Sequence, residues 1–211
     1  RCALNITGRG VGEHSVRRGS WLMHSDLYNP TMRIDVDLEV LPAEAGTLKH
    51  WTLTHLHIGS DHLPARGAVL SGGSIAAGTR GLAQLVLFRE TFVCHGDRFV
   101  LRDQSAQRTI AGGRVIDPFS PKRGRAKPSR IASLKVMCGE NPAEILRELT
   151  DQSVTGVSLQ PFAVSHNLPT LQIKSLIASL ELRLVGNSPK ERIFSKKRWR
   201  ELSDRIEKII I

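Results

Sequence analysis

Residues 34–40 of the chain read IDVDLEV, and apolar and acidic side chains alternate strictly along them. A period of two is typical of a strand with one buried face and one exposed face. The alternation recurs in residues 53–58, LTHLHI. Short apolar runs bounded by Gly, Asp or Ser predict further strands at residues 1–6, 20–24, 67–70, 82–88, 92–94, 98–102 and 109–117. Because no helical pattern separates them, we predict an all-β barrel or sandwich up to about residue 118.

Glycines mark the predicted turns of this β-rich part. His95-Gly96-Asp97 lies between two apolar runs and predicts a hairpin. Gly72-Gly73 and Gly112-Gly113 have no helix after them, so we interpret both pairs as turns or bulges rather than phosphate-binding loops.

The hydrophobic period changes after residue 140. Asn141 followed by Pro142 and Glu144 predicts a capped helix start. A second helix, capped by Ser158, and a third helix are predicted next. Two strands then flank a hairpin tip at residues 186–191. A last helix carries an apolar stripe interpreted as core: Trp199, Leu202, Ile206 and Ile209. This order of elements predicts a winged helix-turn-helix domain over residues 131–211.

A basic, Pro-rich border separates the two parts. Residues 119–130 are predicted to form an exposed linker, because the prolines at its ends disfavour a helix or a central strand. Residues 1–118 carry 13 Lys and Arg against 11 Asp and Glu, whereas residues 119–211 carry 17 against 9. The excess positive charge therefore lies mainly in the linker and the winged-helix region.

The composition of the 211 residues indicates a folded protein with a polyanionic partner. Hydrophobic residues make up 40%, charged residues 24%, and the net charge is +10. The three cysteines lie far apart in the sequence, which favours a reducing, cytoplasmic compartment over a disulfide framework or a structural zinc site. No apolar run approaches the ~20 residues of a membrane span, so we expect no membrane partner. The first residue is Arg and residues 1–7 resemble the middle of a strand, so we expect a fragment of a longer protein.

Motifs for nucleotide hydrolysis and for two common hydrolase mechanisms are absent from the sequence. It contains no GxxxxGK[ST] phosphate loop, no HExxH and no GxSxG. We therefore predict no catalytic residue, no metal and no cofactor in this chain.

Two groups of residues are candidates for contact with phosphate. His55 and His57 lie two apart on a predicted strand, so both side chains face the same way; without a nearby Cys or carboxylate, a polar or phosphate-facing surface is favoured over a metal site. Arginines, which bind phosphate in a bidentate manner, also cluster around one loop with a single acid: Arg98, Arg102, Asp103, Arg108 and Arg114. Local Arg–Asp pairs at a solvated rim are an equally good interpretation of this cluster.

Basic side chains in the second part are candidates for non-specific RNA binding through counterion release. They are Lys122, Arg123, Arg125, Lys127, Lys190, Lys196 and Lys197. The predicted third helix exposes Thr170, Gln172, Lys174, Ser175 and Ser179, of which only Gln172 is typical of base readout.

Several stretches together resemble one protein family, the selenocysteine-specific elongation factors (SelB), relatives of EF-Tu. The third domain of that family is similar to GDRFVLRD (96–103), TIAGGRVI (109–116) and LTHLHIG (53–59). The end of its second domain resembles RCALNITG (1–8) with RGSWL (18–22), and its basic linker resembles PKRGRAKP (121–128). The resemblance implies residues 1–31 from domain two, a domain-three barrel over residues 32–118, the linker, and a first winged helix used as a spacer.

The resemblance also implies partners and site residues. The full-length protein would bind GTP and magnesium in an N-terminal GTPase domain that this fragment lacks, and would deliver selenocysteinyl-tRNA to the ribosome at a recoded UGA. Later winged helices would hold an mRNA hairpin. Domain three would contact the tRNA stem through Arg102, Asp103, Arg108 and Thr109, with His55 and His57 as further candidates. The alternatives are a DNA-binding winged-helix regulator with a barrel sensor, or a fragment of a general EF-Tu-type factor.

Overall fold

A computed structural model describes residues 4–9, 11–12, 16–25, 28–43 and 46–210. In these ranges the first eight strands are β1 (Thr31–Val40), β2 (Leu48–Lys49), β3 (Thr52–Ile58), β4 (Asp61–Val69), β5 (Ser74–Ile75), β6 (Arg80–Thr91), β7 (Arg98–Arg102) and β8 (Thr109–Asp117). The remaining elements are α1 (Pro128–Met137), α2 (Pro142–Gln152), β9 (Val157–Ser158), α3 (Leu159–Ser165), α4 (Thr170–Ser179), β10 (Arg183–Val185), β11 (Arg192–Phe194) and α5 (Lys196–Ile210).

Six antiparallel strands close into a barrel in the order β1-β6-β4-β3-β7-β8, with β8 paired back to β1. Closure leaves no free sheet edge in the barrel. Apolar residues of every strand fill its interior, among them Ile34, Leu56, Leu85 and Leu101, all with 0% exposure. The predicted barrel is thereby confirmed, and β7 and β8 have the predicted bounds.

Three predicted strands of the first part are wrong, and one of them, residues 92–94, is irregular chain after β6. Residues 20–24 form no strand, nor do residues 4–6, while residues 1–3 of the first predicted strand lie outside the described residues. Residues 18–19 instead contact the β3–β4 turn: Arg18 Nε donates to the Ser60 carbonyl (3.0 Å) and the Gly19 amide to Ser60 Oγ (3.2 Å). Isolated bonds to a turn cannot replace the regular ladder that a strand needs.

The His95-Gly96-Asp97 turn exists but closes no hairpin. Asp97 Oδ2 accepts from the Cys94 amide, yet β7 pairs with β3 and β8 and not with the preceding strand β6. The segment is a crossover between non-adjacent strands, and a turn motif alone does not report which strands pair.

Gly72 and Gly73 have φ of 74° each and form the predicted turn, whereas Gly112 and Gly113 lie within regular strand β8. The interpretation of this second pair as a turn or bulge is wrong. A Cβ on Gly113 would lie 2.1 Å from the Asp37 carbonyl oxygen, so this glycine allows β1 and β8 to approach closely.

Gly113→Ala is therefore expected to lower the free energy of unfolding by about 1–3 kcal/mol, because β1 must shift to admit the methyl group. Gly112→Ala is the matched control, since its Cβ would meet nothing closer than the Phe99 oxygen at 3.5 Å. Urea unfolding at constant m-value measures the difference. Equal midpoints for the two variants would contradict the close-approach explanation.

The helical region shows the element order required by the winged-helix prediction. Strands β10, β11 and β9 form a small sheet beside α2, α3 and α4. Asn141 caps α2 as predicted, accepting from the Ala143 amide at 2.9 Å, whereas the side chain of Ser158 makes no capping bond to α3. Helix α1 was not predicted, and it begins inside the segment assigned to the linker.

The apolar stripe of α5 is only partly buried. Trp199 and Leu202 are half-buried, with Trp199 packed edge-on against Phe194, but Ile206 is 48% and Ile209 81% exposed. Interpreting the entire stripe as core was wrong, because α5 extends beyond the sheet that covers its first turns.

The barrel and the helical region share a second core. Leu70 and Ile116 of the barrel are buried with Leu134, Leu146 and Phe162 of the helices. Polar contacts add to this junction: His95 Nε2 bonds the Met137 carbonyl at 2.7 Å, and Arg130 of α1 reaches two barrel carboxylates. The helical region is therefore docked on the barrel rather than joined to it by the linker alone.

Candidate nucleic-acid interface

The alternation of β3 determines which of its side chains face outward. Thr54, Leu56 and Ile58 are buried in the barrel, while His55 and His57 are half-buried on the outside. The two imidazoles thus face the same way, as the sequence predicted.

Neighbouring strands bring two more basic side chains to this surface. In the β3–β4 hairpin His57 is paired with His62, and their rings stack with centroids 5.8 Å apart. On the other side His55 is paired with Arg102 of β7. Directly opposed residues on one face of a sheet lie close enough to act together. We call His55, His57, His62 and Arg102 the histidine–arginine face.

Burial, the adjacent Arg102, and then His62, His55 and Arg18 lower the pKa of His57. The lowered pKa favours the neutral imidazole of His57 at pH 7, whereas the Arg102 guanidinium carries a permanent positive charge. His57 Nε2 is buried and has no hydrogen-bond partner among the described residues. Arg18 was not predicted here; only the fold of residues 16–25 over the β3–β4 turn brings it near.

The loop after β7 is closed by its own side chains. Asp103 Oδ1 accepts from the amides of Gln107 and Arg108, and the Arg108 guanidinium lies 3.5 Å from Asp103 Oδ2. The backbone bond from Arg108 is the largest cause that lowers the pKa of Asp103. Arg102 Nη1 donates to the Ala106 carbonyl at 3.1 Å. Asp103 thus shapes the loop, while Arg108 and the half-buried Thr109 border the histidine–arginine face.

The other predicted basic residues are spread over several surfaces. Lys122, Arg123, Lys127, Lys190 and Lys197 are exposed. Arg125 is half-buried with its guanidinium over the Trp51 ring, and Lys196 Nζ pairs with Glu181 at 2.7 Å. Arg114, grouped with Arg102 from the sequence, contacts Glu140 and the Cys138 carbonyl of the helical region, so it does not belong to the same face.

Helix α4 exposes the side chains that the sequence predicted. Thr170, Gln172, Lys174 and Ser175 face solvent, while Ile173 and Ile177 are buried. Leu171 is 82% exposed at the start of the helix, where a base-reading helix typically presents polar side chains.

No group of three or more His, Cys, Asp or Glu in the described ranges is arranged to hold a metal ion. Cys94 and Cys138 are both free thiols, and burial raises the pKa of each. None of the described helices is long and apolar enough to cross a membrane.

A closed six-stranded antiparallel barrel followed by a helical region is the architecture of an EF-Tu-like barrel protein. Residues 33–122 match the sequence profile described as selenocysteine-specific elongation factor, beta-barrel domain. The crystal structure of a bacterial selenocysteine-specific elongation factor, EF-Sec, superposes with a TM-score of 0.54 over 88% of this chain and 27% of that chain, at 16% identity.

Named relatives agree with the profile match. The selenocysteine-specific elongation factor of Escherichia coli K12 is 32% identical over 165 residues, which cover 78% of this chain and 24% of that protein. The factor of Desulfomicrobium baculatum is 33% identical over 122 residues, covering 58% of this chain and 19% of that protein. The chain belongs to the selenocysteine-specific elongation factor family, and it spans about a fifth to a quarter of the length of these curated relatives.

Proposed function

We propose that this chain is the part of a selenocysteine-specific elongation factor that contacts the stem of selenocysteinyl-tRNA. The histidine–arginine face, with Arg108 and Thr109 at its border, binds phosphates and 2′-hydroxyls of an A-form helix. Such a helix is recognised by shape and backbone rather than by base edges. The observation that carries the proposal is that these residues form one surface inside the segment that matches the family's barrel domain.

The chemistry of the face supports this assignment. A guanidinium binds a phosphate in a bidentate manner, and a neutral imidazole can exchange a hydrogen bond with a ribose hydroxyl. Strands β3, β4 and β7 hold these groups on a closed barrel, so little conformational entropy is lost on binding. Asp103 keeps the adjoining loop folded and positions it without touching RNA.

The helical region acts in this proposal as a spacer winged helix. The hydrophobic Leu171 and the sparse polar set on α4 favour that role over base-specific DNA reading. Exposed lysines and arginines of the linker and the β10–β11 hairpin add non-specific attraction to RNA.

The full-length protein is proposed to act in the cytoplasm, to bind GTP and magnesium through a domain outside these residues, and to deliver its tRNA to the ribosome at a UGA marked by an mRNA hairpin. These 211 residues are proposed to have no catalysis of their own, since they contain no phosphate loop. GTP hydrolysis by the purified chain would contradict this.

Arg102→Ala is expected to weaken binding of a tRNA acceptor and T-stem duplex roughly tenfold, and to reduce the slope of log affinity against log salt by about 1. The loss follows from one missing phosphate contact. Fluorescence anisotropy with labelled stem RNA at several salt concentrations measures both quantities.

Arg80→Ala is the matched control, because Arg80 lies on β6, on the side of the barrel opposite β3 and β7, and is 63% exposed. Its affinity should equal that of the parent chain. A DNA duplex of the same sequence tests the regulator alternative: tighter binding to DNA than to RNA would contradict the tRNA-stem proposal.

A further inference from the structure

Trp51 lies at the turn that enters β3, outside the barrel core. The side chain is 42% exposed, and its φ of 71° lies in the left-handed region. The turn is held by a bond from the Trp51 amide to the Gly67 carbonyl (2.7 Å), and Arg66 Nη1 donates to the Trp51 carbonyl (3.4 Å). Left-handed backbone is disfavoured for a bulky side chain and suits Gly or Asn.

A tryptophan at such a position needs a reason beyond local conformation. Packing alone is a weak reason, because much of the indole remains in contact with solvent. Residues held in disfavoured backbone conformations concentrate at ligand-binding sites, where the surrounding structure maintains them. Here the bond from Arg66 to the Trp51 carbonyl and the bond from the Trp51 amide to Gly67 maintain the left-handed conformation.

Basic side chains contact and flank the indole. The Arg125 guanidinium lies 5.4 Å from the ring centroid, and the His50 ring stacks against the indole with centroids 6.0 Å apart. Lys49, one residue before His50, is exposed. Arg123 and Lys127, two residues before and two residues after Arg125, are exposed as well. An aromatic surface beside a guanidinium and exposed lysines matches a ligand with a planar ring and a phosphate.

We propose that Trp51 stacks an unpaired base of single-stranded RNA, while Arg125 and Lys49 bind the flanking phosphates. Base stacking on an aromatic side chain is sequence-tolerant, since every base presents a π-face. The site uses none of the residues of the histidine–arginine face, so it does not depend on the assignment of that face to paired RNA. It also gives the linker arginine a defined position on the barrel.

Anisotropy with a labelled single-stranded RNA 12-mer and with a blunt RNA duplex tests the site. Trp51→Asn is expected to weaken binding of the single strand about tenfold, since one base loses its stacking partner, and to leave the duplex affinity unchanged. Trp51→Phe keeps a stacking ring and should lose less. Trp21→Asn is the matched control, because Trp21 is also 42% exposed but lies in another segment.

Thermal unfolding of the same variants separates a binding role from a structural one. Asn fits left-handed backbone, so Trp51→Asn should leave the melting temperature unchanged or raise it. An unchanged affinity of Trp51→Asn for the single strand would overturn the proposal, and so would equal losses for the single strand and the duplex. Arg102→Ala should weaken only duplex binding, so a failure of the tRNA-stem proposal is distinguishable from a failure of this one.

Discussion

Replacing Arg130 by alanine is expected to lower the free energy of unfolding by about 3–5 kcal/mol, the usual cost of removing one partner from a buried ion pair. Arg130 Nη2 donates to Asp35 Oδ2 at 2.5 Å and also contacts Asp117. The side chain of Asp35 is fully buried, and that of Asp117 is only 9% exposed. Without the guanidinium, two adjacent carboxylates would remain with no counter-charge between barrel and α1.

Burial raises the pKa of Asp35, although Arg130 and the bond from Gln84 Nε2 (3.0 Å) act in the opposite direction. The carboxylate is thus poorly solvated even with its partner present, which is why the partner's loss is costly. Combining Arg130→Met with Asp35→Leu is expected to recover part of the stability, because one of the two uncompensated charges is then removed as well.

Arg80→Ala provides the control for Arg130→Ala. Arg80 also faces two carboxylates, Asp37 at 3.9 Å and Glu39 at 3.5 Å, but its side chain is 63% exposed against 20% for Arg130. Exposed pairs contribute about 0–1 kcal/mol. Urea unfolding measures both variants; equal losses would contradict the view that burial, rather than pairing, sets the size of the effect.

Lowering the pH from 6.5 to about 4 is expected to destabilise the protein by about 3 kcal/mol through His166 alone. Burial and the adjacent His95 lower the pKa of His166 to about 4. Between the two pKa values the unfolded chain binds a proton that the folded chain does not. The contribution of His166 to the free energy of unfolding is therefore complete above pH 6.5. It falls progressively towards pH 4 and changes no further below that pH.

The surroundings of His166 explain this resistance to protonation. Its ring stacks on His95 of the barrel (4.4 Å) and on Phe162 of its own helix (4.2 Å). Nδ1 lies 3.0 Å from the Phe162 carbonyl and 2.8 Å from Ser165 Oγ, while Nε2 is buried without a partner among the described residues. The bond to the Phe162 carbonyl and the more weakly acting Asp117 of β8 favour the charged form but do not offset burial.

His166→Phe keeps a stacking ring and removes the titration. We expect the difference in unfolding free energy between pH 7 and pH 4.5 to be smaller in this variant by most of the 3 kcal/mol, since other groups contribute equally to both proteins. His50→Gln is the matched histidine substitution at an exposed position. A parent-like pH dependence in His166→Phe would show that His166 is not the titrating group.

Much of the candidate site could be predicted from local pattern. The period of two along β3 places His55 and His57 on one outer face, and the bounds of β7 place Arg102 at a strand end. Which strands pair with each other could not be predicted from local pattern. The pairing of His55 with Arg102 joins residues 47 positions apart, and Arg18 and His62 reach the face through a folded segment and a hairpin register.

The strand at residues 34–40 shows both what a local pattern predicts and what it leaves undetermined. Its alternation alone was enough to identify a strand and to select Ile34, Val36 and Leu38 as barrel core, because side-chain direction along a strand depends only on local backbone geometry. The same pattern predicted that Asp35 faces water. In the folded chain Asp35 is buried against Arg130, 95 residues away, because α1 covers that part of the barrel. Whether an outward side chain meets solvent or another element depends on packing between distant segments, which no local period encodes.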